Sequence, residues 1–372
     1  MRNVQKYDLI IVGAGLYGSV LAYRAKERGL RVLVLEKRTH VGGNVRDEQR
    51  EGINVHCYGP HIFHTKYDEV WHFAERFISF NHFRYMPLAR YKECLYNLPF
   101  NMHTFYQLYG VQTPEEAKIR LEHERLEEGI TEPHNLEEKA ISLVGRTLYE
   151  RLIKGYTEKQ WGCKATELPS FIIERLPVRF TYDNNYFNDP YQGIPVEGYT
   201  LWINKMLDGV EVRLGVDFLH DKWYWLSQCK RLVYSGSVDA LYDYQLGELA
   251  YRSLRFEDTL YDMENVQGCA VINETDITVP YTRSIEHKHF NFGRQPCSIV
   301  TREYPQEWDR TKEAFYPVDN ESNRNLYLRY KELNSRMNPK ISLGGRLGDY
   351  RYYNMDEVIK KALEFELIKK IL

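Results

Sequence analysis

"YDLIIVGAGLYGSVLAYRAKERGLRVLVLEKR", residues 7–38, reads as strand, glycine turn, helix, turn and second strand. Leu9 to Val12 is an unbroken apolar run, the pattern of a central parallel strand buried on both faces. Gly13, Gly15 and Gly18 follow as GxGxxG, and the spacing predicts a helix running to Gly29, which is placed to cap its C-terminus. Arg31 to Leu35 is the second strand, closed by Glu36. Gly13 permits the tight turn, Gly15 lets backbone approach a pyrophosphate, Gly18 lets helix pack on strand, and the helix N-terminus attracts the anion. Glu36 stands where a carboxylate accepts hydrogen bonds from a ribose.

A second glycine turn, "KRTHVGGN", comes directly after Glu36 and brings Arg38, Gly43 and Asn44 to the same end of the strands. Simple nicotinamide domains proceed straight to their next helix, so an added contact loop suits a longer dinucleotide, FAD. Near the other end, "GGRLGDYRYYNMDEVIKKALEF" places Arg346 in a polar turn, then Asn354 as N-cap with Glu357 three residues on, opening an amphipathic helix. The positive end of that helix would stabilise negative charge on the pyrimidine edge of a flavin. The expected fold class is therefore α/β, with a discontinuous FAD-binding, Rossmann-like domain built from both ends of the chain.

Composition sets outer limits. A chain of 372 residues, 43% hydrophobic and 27% charged, is long enough for two or three domains and too apolar for a disordered one. The net charge of −2 gives no global attraction for nucleic acid. The stretch "LIIVGAGLYGSVLA" is too short to span a bilayer, and "YRAKERGL" after it offers no signal-peptidase site, so a cytoplasmic protein without stable membrane insertion is expected. Cys57, Cys94, Cys163, Cys229, Cys269 and Cys297 form no CxxC pair, which suits reduced, mostly buried thiols and no metal site. Thirty tyrosines call for clefts where an apolar ring ends in a hydroxyl.

Three domains are expected. The FAD-binding domain takes residues 1–78, 193–248 and 318–372, with "EVRLGVDF" and "KRLVYSGSVDAL" as returning strands. Residues 79–157 form a helical insertion. Here Thr113, Pro114 and Glu116 make a capping box, Asn135 caps a further helix, and Ile141, Val144, Leu148 and Leu152 form one stripe. Residues 158–192 and 249–317 carry short aromatic and β-branched runs that predict an antiparallel sheet, the substrate-binding domain.

In "VPYTRSIEHKHF", residues 279–290, an extended strand would put Tyr281, Arg283, Ile285, His287 and His289 on one face. A third metal ligand of sensible spacing is missing nearby, so the histidines read as satisfied buried groups. Arg283 gains meaning beside "IIERLPVRF" with Arg175, "KGYTEKQWG" with Tyr156, Thr157 and Trp161, and "DNNYFND" with Tyr186 and Phe187. Two guanidinium forks and an aromatic shelf suit a nucleoside diphosphate.

The motifs "GGN", "YGPHIFHT", "YTEKQWG", "IIERLPVR", "PYTRSIEHKHF" and "GRLGDYRY", in this order over nearly the whole chain, are similar to those of bacterial UDP-galactopyranose mutases. The resemblance implies isomerisation of UDP-galactopyranose to UDP-galactofuranose, a precursor of cell-surface glycans, by a reduced FAD whose N5 acts as covalent catalyst through a flavin–sugar adduct. It implies that Arg175 and Arg283 neutralise the diphosphate with help from Tyr316 and Tyr352, and that Tyr186 and Phe187 stack near uracil. Asn273, Thr157, Trp161 and Tyr156 add substrate contacts. His61 would lie by the flavin, next to Ile62. Further cofactor contacts would come from Tyr17 in the first helix and from Met355 and Asp356 at the start of the last. A homodimer is expected. Two positions depart from the usual pattern: Tyr85 stands where related mutases often carry Asn, and Asn354 where they often carry Asp. The rival reading is a flavin oxidase of the amine-oxidase kind, which shares the two-ended FAD domain but needs an apolar hydride-donor cage.

Overall fold

The computed structural model describes residues 5–173 and 178–366. Its first layer is a five-stranded parallel sheet in the order Ile341–Leu343, Cys229–Tyr234, Tyr7–Val12, Val32–Glu36, Glu211–Leu214. Both faces are buried, as the apolar runs require. Leu9, Ile11, Val32 and Val34 point into one core, while Ile10, Leu33 and Leu35 point into another. The helices Leu16–Lys26, Tyr199–Leu207 and Met355–Glu364 cover the first of these cores. Gly29 adopts the left-handed conformation just past the first helix, as expected.

The second layer is a seven-stranded sheet in the order Tyr316–Pro317, Tyr251–Tyr261, Ser298–Glu307, Arg283–Glu286, Val271–Glu274, Leu88–Tyr91, Cys94–Asn97. Its pairings are antiparallel, except that Val271–Glu274 runs parallel to Leu88–Tyr91. Two expectations change here. The hairpin of Leu88–Tyr91 and Cys94–Asn97, placed by sequence in the helical insertion, is the edge of this sheet, turning at Lys92 in the left-handed region. Residues 158–192 contribute no strand to it among those described. Their aromatic rings pack on helices and line the cleft, and Tyr191–Gly193 pairs only with Phe63–Thr65.

The helical segment has its own core around Phe105, Leu121, Ile141 and Leu148. Thr113 and Glu116 close the capping box of helix Pro114–Glu128, and Asn135 accepts from Glu138 N–H to start Leu136–Val144. The stripe Ile141, Val144, Leu148, Leu152 is buried as expected, but not on one continuous helix. Gly145 interrupts it, and a π-helical turn over Tyr149–Lys154 leads into Gly155–Trp161, re-aiming the side chains that follow toward the sheet. All six cysteines are free; only Cys229 is fully buried and Cys94 is exposed, so the thiols are less buried than expected.

Candidate active site

The two glycine turns close on each other. Gly13 has φ +105°, and a Cβ there would meet Ser235 Oγ at 2.2 Å. A Cβ on Gly18 would fall 2.0 Å from the Gly13 carbonyl oxygen, so this glycine is needed for helix and strand to touch. Gly42 N–H donates to Ala14 O at 2.9 Å, and a Cβ on Gly43 would come within 2.9 Å of Gly15 Cα. The buried carboxylate of Glu36 is fixed between Ala14 N–H at 2.8 Å and Arg38 N–H at 2.9 Å. Around these groups lies a cavity of about 350 Å³, lined by Gly13, Gly15, Glu36, Arg38, Gly43 and Asn44 among others. Arg38 hangs over the Tyr58 ring, donates to Asn44 Oδ1 at 3.1 Å and forms an ion pair with Glu313.

Asn44 also lines a second cavity of about 670 Å³, which joins the two sheets. On its cofactor-domain side are His61, Ile62, Arg346, Asn354 and Met355; from the other side come Arg283, Tyr156, Tyr186, Phe187, Asn273, Tyr316 and Tyr352. Two smaller spaces adjoin it. One, of about 210 Å³, places Thr157 and Trp161 beside Tyr156, Tyr186 and Asn273, with Leu98, Phe100 and Ile172 behind. The other, of about 580 Å³, runs between Trp161, Arg283, Tyr316 and Tyr352. Asn273 Oδ1 is buried without a partner on this wall, an acceptor waiting for a donor.

Most residues singled out from sequence therefore line connected cavities. The exceptions are instructive. Tyr17 points its ring into the core against Gly344 and Phe365, so only its backbone remains near the glycine turn. Gly18 serves packing. Asp356 is buried behind the cavity wall, where loss of water raises its carboxyl pKa against the pull of His64. Arg175 lies outside the described residues. Asn354 caps its helix as expected, its N–H donating to Glu357 Oε2 at 2.8 Å.

His61 is held from several directions. Its Nδ1 meets Gly59 O at 2.8 Å, its N–H donates to His56 Nδ1 at 3.2 Å, and its carbonyl accepts from Tyr199 OH at 2.8 Å. Burial draws its pKa down to about 4, opposed by the Gly59 carbonyl and reinforced by Arg346 and Arg283, so the ring is neutral at pH 7. Behind it, His56 N–H donates to His287 Nδ1 at 3.2 Å, and His287 Nε2 bonds Thr301 Oγ1 at 2.6 Å. His287 thus satisfies buried groups as expected, though not from an extended strand: the strand stops at Glu286, and His287–Asn291 is a 3-10 turn. His289 pairs with Glu286 at 3.2 Å.

Three residues that hold the site's side chains or backbone in place were not singled out from sequence. Glu303, fully buried, sits opposite Arg283 across the strands and accepts from its Nε and Nη2 at 3.0 and 2.9 Å. Burial by itself would lower the arginine pKa, but the Glu303 charge carries it well above the usual value. His56 and Lys159 are the others; each stands in a quoted motif or just before one, next to residues that were chosen.

Comparison with known proteins settles the family. Residues 151–352 match the family model for UDP-galactopyranose mutase, and residues 11–77 match that of the NAD(P)-binding Rossmann-like domain. The chain is 38% identical over 364 residues to "Probable UDP-galactopyranose mutase" of Klebsiella pneumoniae, covering 96% of this chain and 93% of that one. The chain belongs to the UDP-galactopyranose mutase family. It is also 37% identical over 365 residues to dTDP-fucopyranose mutase of Escherichia coli, covering 96% of both. The crystal structure of reduced UDP-galactopyranose mutase superposes with a TM-score of 0.73 at 15% identity, covering 98% of this chain and 95% of that one. As a member of this family the protein is an isomerase and its cofactor is FAD. The cradle fits that dinucleotide: glycine backbone too close for any side chain, a fixed carboxylate for a ribose, and a second, wider space reached past Asn44.

Proposed function

We propose that the protein interconverts UDP-galactopyranose and UDP-galactofuranose, and so supplies galactofuranose for cell-surface glycans. The observation that carries this reading is that Arg283, braced on Glu303, lines the same cavity as His61, Asn44 and Arg346. Reduced FAD, when bound, supplies a nucleophilic N5 and returns unchanged, so no net oxidation is needed. The chain's own residues do the rest. Arg283 stabilises the negative charge that develops on the departing diphosphate, a fixed cation requiring no rearrangement at the moment of bond breaking. Arg175 is proposed as its partner, and Tyr316 and Tyr352 as donors to the same phosphates. Tyr156, Thr157, Trp161 and Asn273 enclose the base, with Tyr186 and Phe187 flanking it. His61, neutral and fixed by Gly59, is proposed to sit against the flavin, where its free ring nitrogen can accept a hydrogen bond from the cofactor or from a sugar hydroxyl.

A second substrate reading has a specific basis. The Escherichia coli relative acts, by its name, on a dTDP-linked 6-deoxy sugar, and its similarity here equals that of the Klebsiella protein in extent. In this chain the wall behind the base site is apolar, with Leu98, Phe100 and Ile172, and would accept a thymine methyl. The decisive assay gives dithionite-reduced and unreduced enzyme UDP-galactofuranose and dTDP-fucofuranose in parallel, with chromatography of the products. Conversion of the UDP sugar by reduced enzyme alone supports the first reading; conversion of only the dTDP sugar supports the second. The amine-oxidase alternative shares the fold and is not favoured, since Arg283 and Arg346 in the same cavity are the wrong lining for an amine. We also propose a homodimer in the cytoplasm.

A further inference from the structure

Lys159 lies in the helix Gly155–Trp161, between the base-site residues Thr157 and Trp161, and faces away from the cavities. Its Nζ is within hydrogen-bonding distance of four backbone carbonyls: Glu274 and Asp276 at 2.8 Å, Tyr281 at 2.9 Å and Val279 at 3.0 Å. Glu274 ends the strand Val271–Glu274, and the other three lie in residues 275–282, its connection to the strand Arg283–Glu286. Asn273 stands at one end of that connection and Arg283 at the other. The helix meets the same loop a turn earlier: a Cβ on Gly155 would lie 2.2 Å from Thr275 O and 3.0 Å from Ile277 N. Thr275 Oγ1 also donates to Arg151 O at 2.6 Å.

A half-buried ammonium facing carbonyl oxygens is a costly arrangement unless every proton is used, and here three protons meet four acceptors. Burial draws the amine down to about 8, with Glu274 and Asp276 opposing, so the charge persists at neutral pH. Carbonyls that converge on one cation cannot move independently. Shifting the loop by an ångström would break several charge-assisted bonds together.

We infer that Lys159 is a positioning residue for the nucleotide site: by gathering the carbonyls of residues 274–281 it locks the loop between Asn273 and Arg283 onto the helix carrying Tyr156, Thr157 and Trp161. Base wall and phosphate arginine are thereby preset as one unit, before substrate arrives. This rests on the proposed nucleotide site, so UDP binding to the FAD-loaded wild type is the control: no binding there removes the site itself. With binding established, Lys159→Met should weaken UDP at least about ten-fold by calorimetry and raise KM for the UDP sugar in step, with a smaller fall in kcat because Arg283 stays braced on Glu303. FAD content and flavin absorbance should not change. Lys159→Ala should regain UDP affinity in the presence of ethylammonium and not of tetramethylammonium, because only the former can donate to the carbonyls. UDP affinity equal to wild type in Lys159→Met overturns the inference. Loss of FAD or of a cooperative melt in both variants also overturns it, assigning Lys159 to folding alone.

Discussion

Arg283 and Glu303 face each other in antiparallel register, and both Nε and Nη2 of the guanidinium donate to the single oxygen Oε1. The other carboxylate oxygen has no hydrogen-bond partner and lies by Gly59, where a Cβ would come within 2.9 Å of it. One carboxylate therefore braces the Arg283 guanidinium while packing against the loop that carries His61.

Removing that arginine tests its role. Arg283→Ala should keep bound FAD, read as flavin absorbance, and lose about 10²–10³-fold in turnover, the usual loss for a fixed group that stabilises developing charge. Arg283→Lys should recover little, since a point charge replaces a fork. Glu303→Ala leaves the half-buried guanidinium without its carboxylate and should cost about 1–3 kcal/mol of stability, seen as a lowered Tm of the holoenzyme. Turnover near wild type in Arg283→Ala would remove the phosphate assignment.

Gly18 is a purely steric test of the cofactor cradle. Its missing Cβ leaves room for the Gly13 carbonyl, which would otherwise stand at 2.0 Å. Gly18→Ala should force helix and strand apart and yield colourless protein, or protein with FAD affinity down by about ten-fold or more. Full flavin occupancy in this variant would show that the turn can shift at no cost to binding.

How much of this was legible beforehand depends on distance along the chain. Gly13, Gly15, Gly18 and Glu36 lie within one strand–helix–strand unit, so their spacing alone carries their geometry. The caps at Thr113, Asn135 and Asn354 are local for the same reason. Pairings between remote segments have no such signal. Glu303 meets Arg283, and Lys159 meets residues 274–281, only once strand register and helix docking are set. The hairpin at Leu88–Asn97 was missed because its two short strands gain their partner from Val271–Glu274. His287 was placed on a strand that ends one residue earlier, since nothing in "IEHKHF" announces a 3-10 turn.

The buried histidines predict an acid limit. His61 has a pKa drawn down to about 4 and His287 to about 3, in both cases chiefly by burial, and His56 moves the same way. Below the ordinary value of about 6.5 the unfolded chain takes up protons that the native rings refuse. Their contribution is therefore complete above pH 6.5 and is lost as pH falls toward 4 for His61 and toward 3 for His287. Each such ring steepens the loss by up to about 1.4 kcal/mol per pH unit within its window. Urea midpoints of the holoenzyme from pH 7.5 to 4.5 should fall, and fall less steeply in His287→Gln; equal slopes would mean that His287 is charged in the native state.

Tyr85 is the position where sugar selectivity is expected to be set. Its ring is buried on the cavity wall, 5.5 Å from Phe187 at 24° and 5.4 Å from Tyr186 at 66°, and Phe187 in turn stacks on His64 at 3.6 Å. His64 is anchored by Asp189 at 2.5 Å. Tyr85 brings to this wall a ring ending in a single hydroxyl, where an asparagine would bring a shorter amide with both a carbonyl acceptor and an NH₂ donor for a sugar hydroxyl. A site built to hydrogen-bond a hydroxyl discriminates far more strongly than an apolar wall, which tolerates methyl and hydroxymethyl alike. Tyr85→Asn should therefore raise kcat/KM for UDP-galactofuranose relative to a 6-deoxy nucleotide sugar by about ten-fold, measured on reduced enzyme with both substrates in competition. An unchanged ratio would place the C6 group of the sugar away from Tyr85 and shift the search to the face formed by His61 and Arg346.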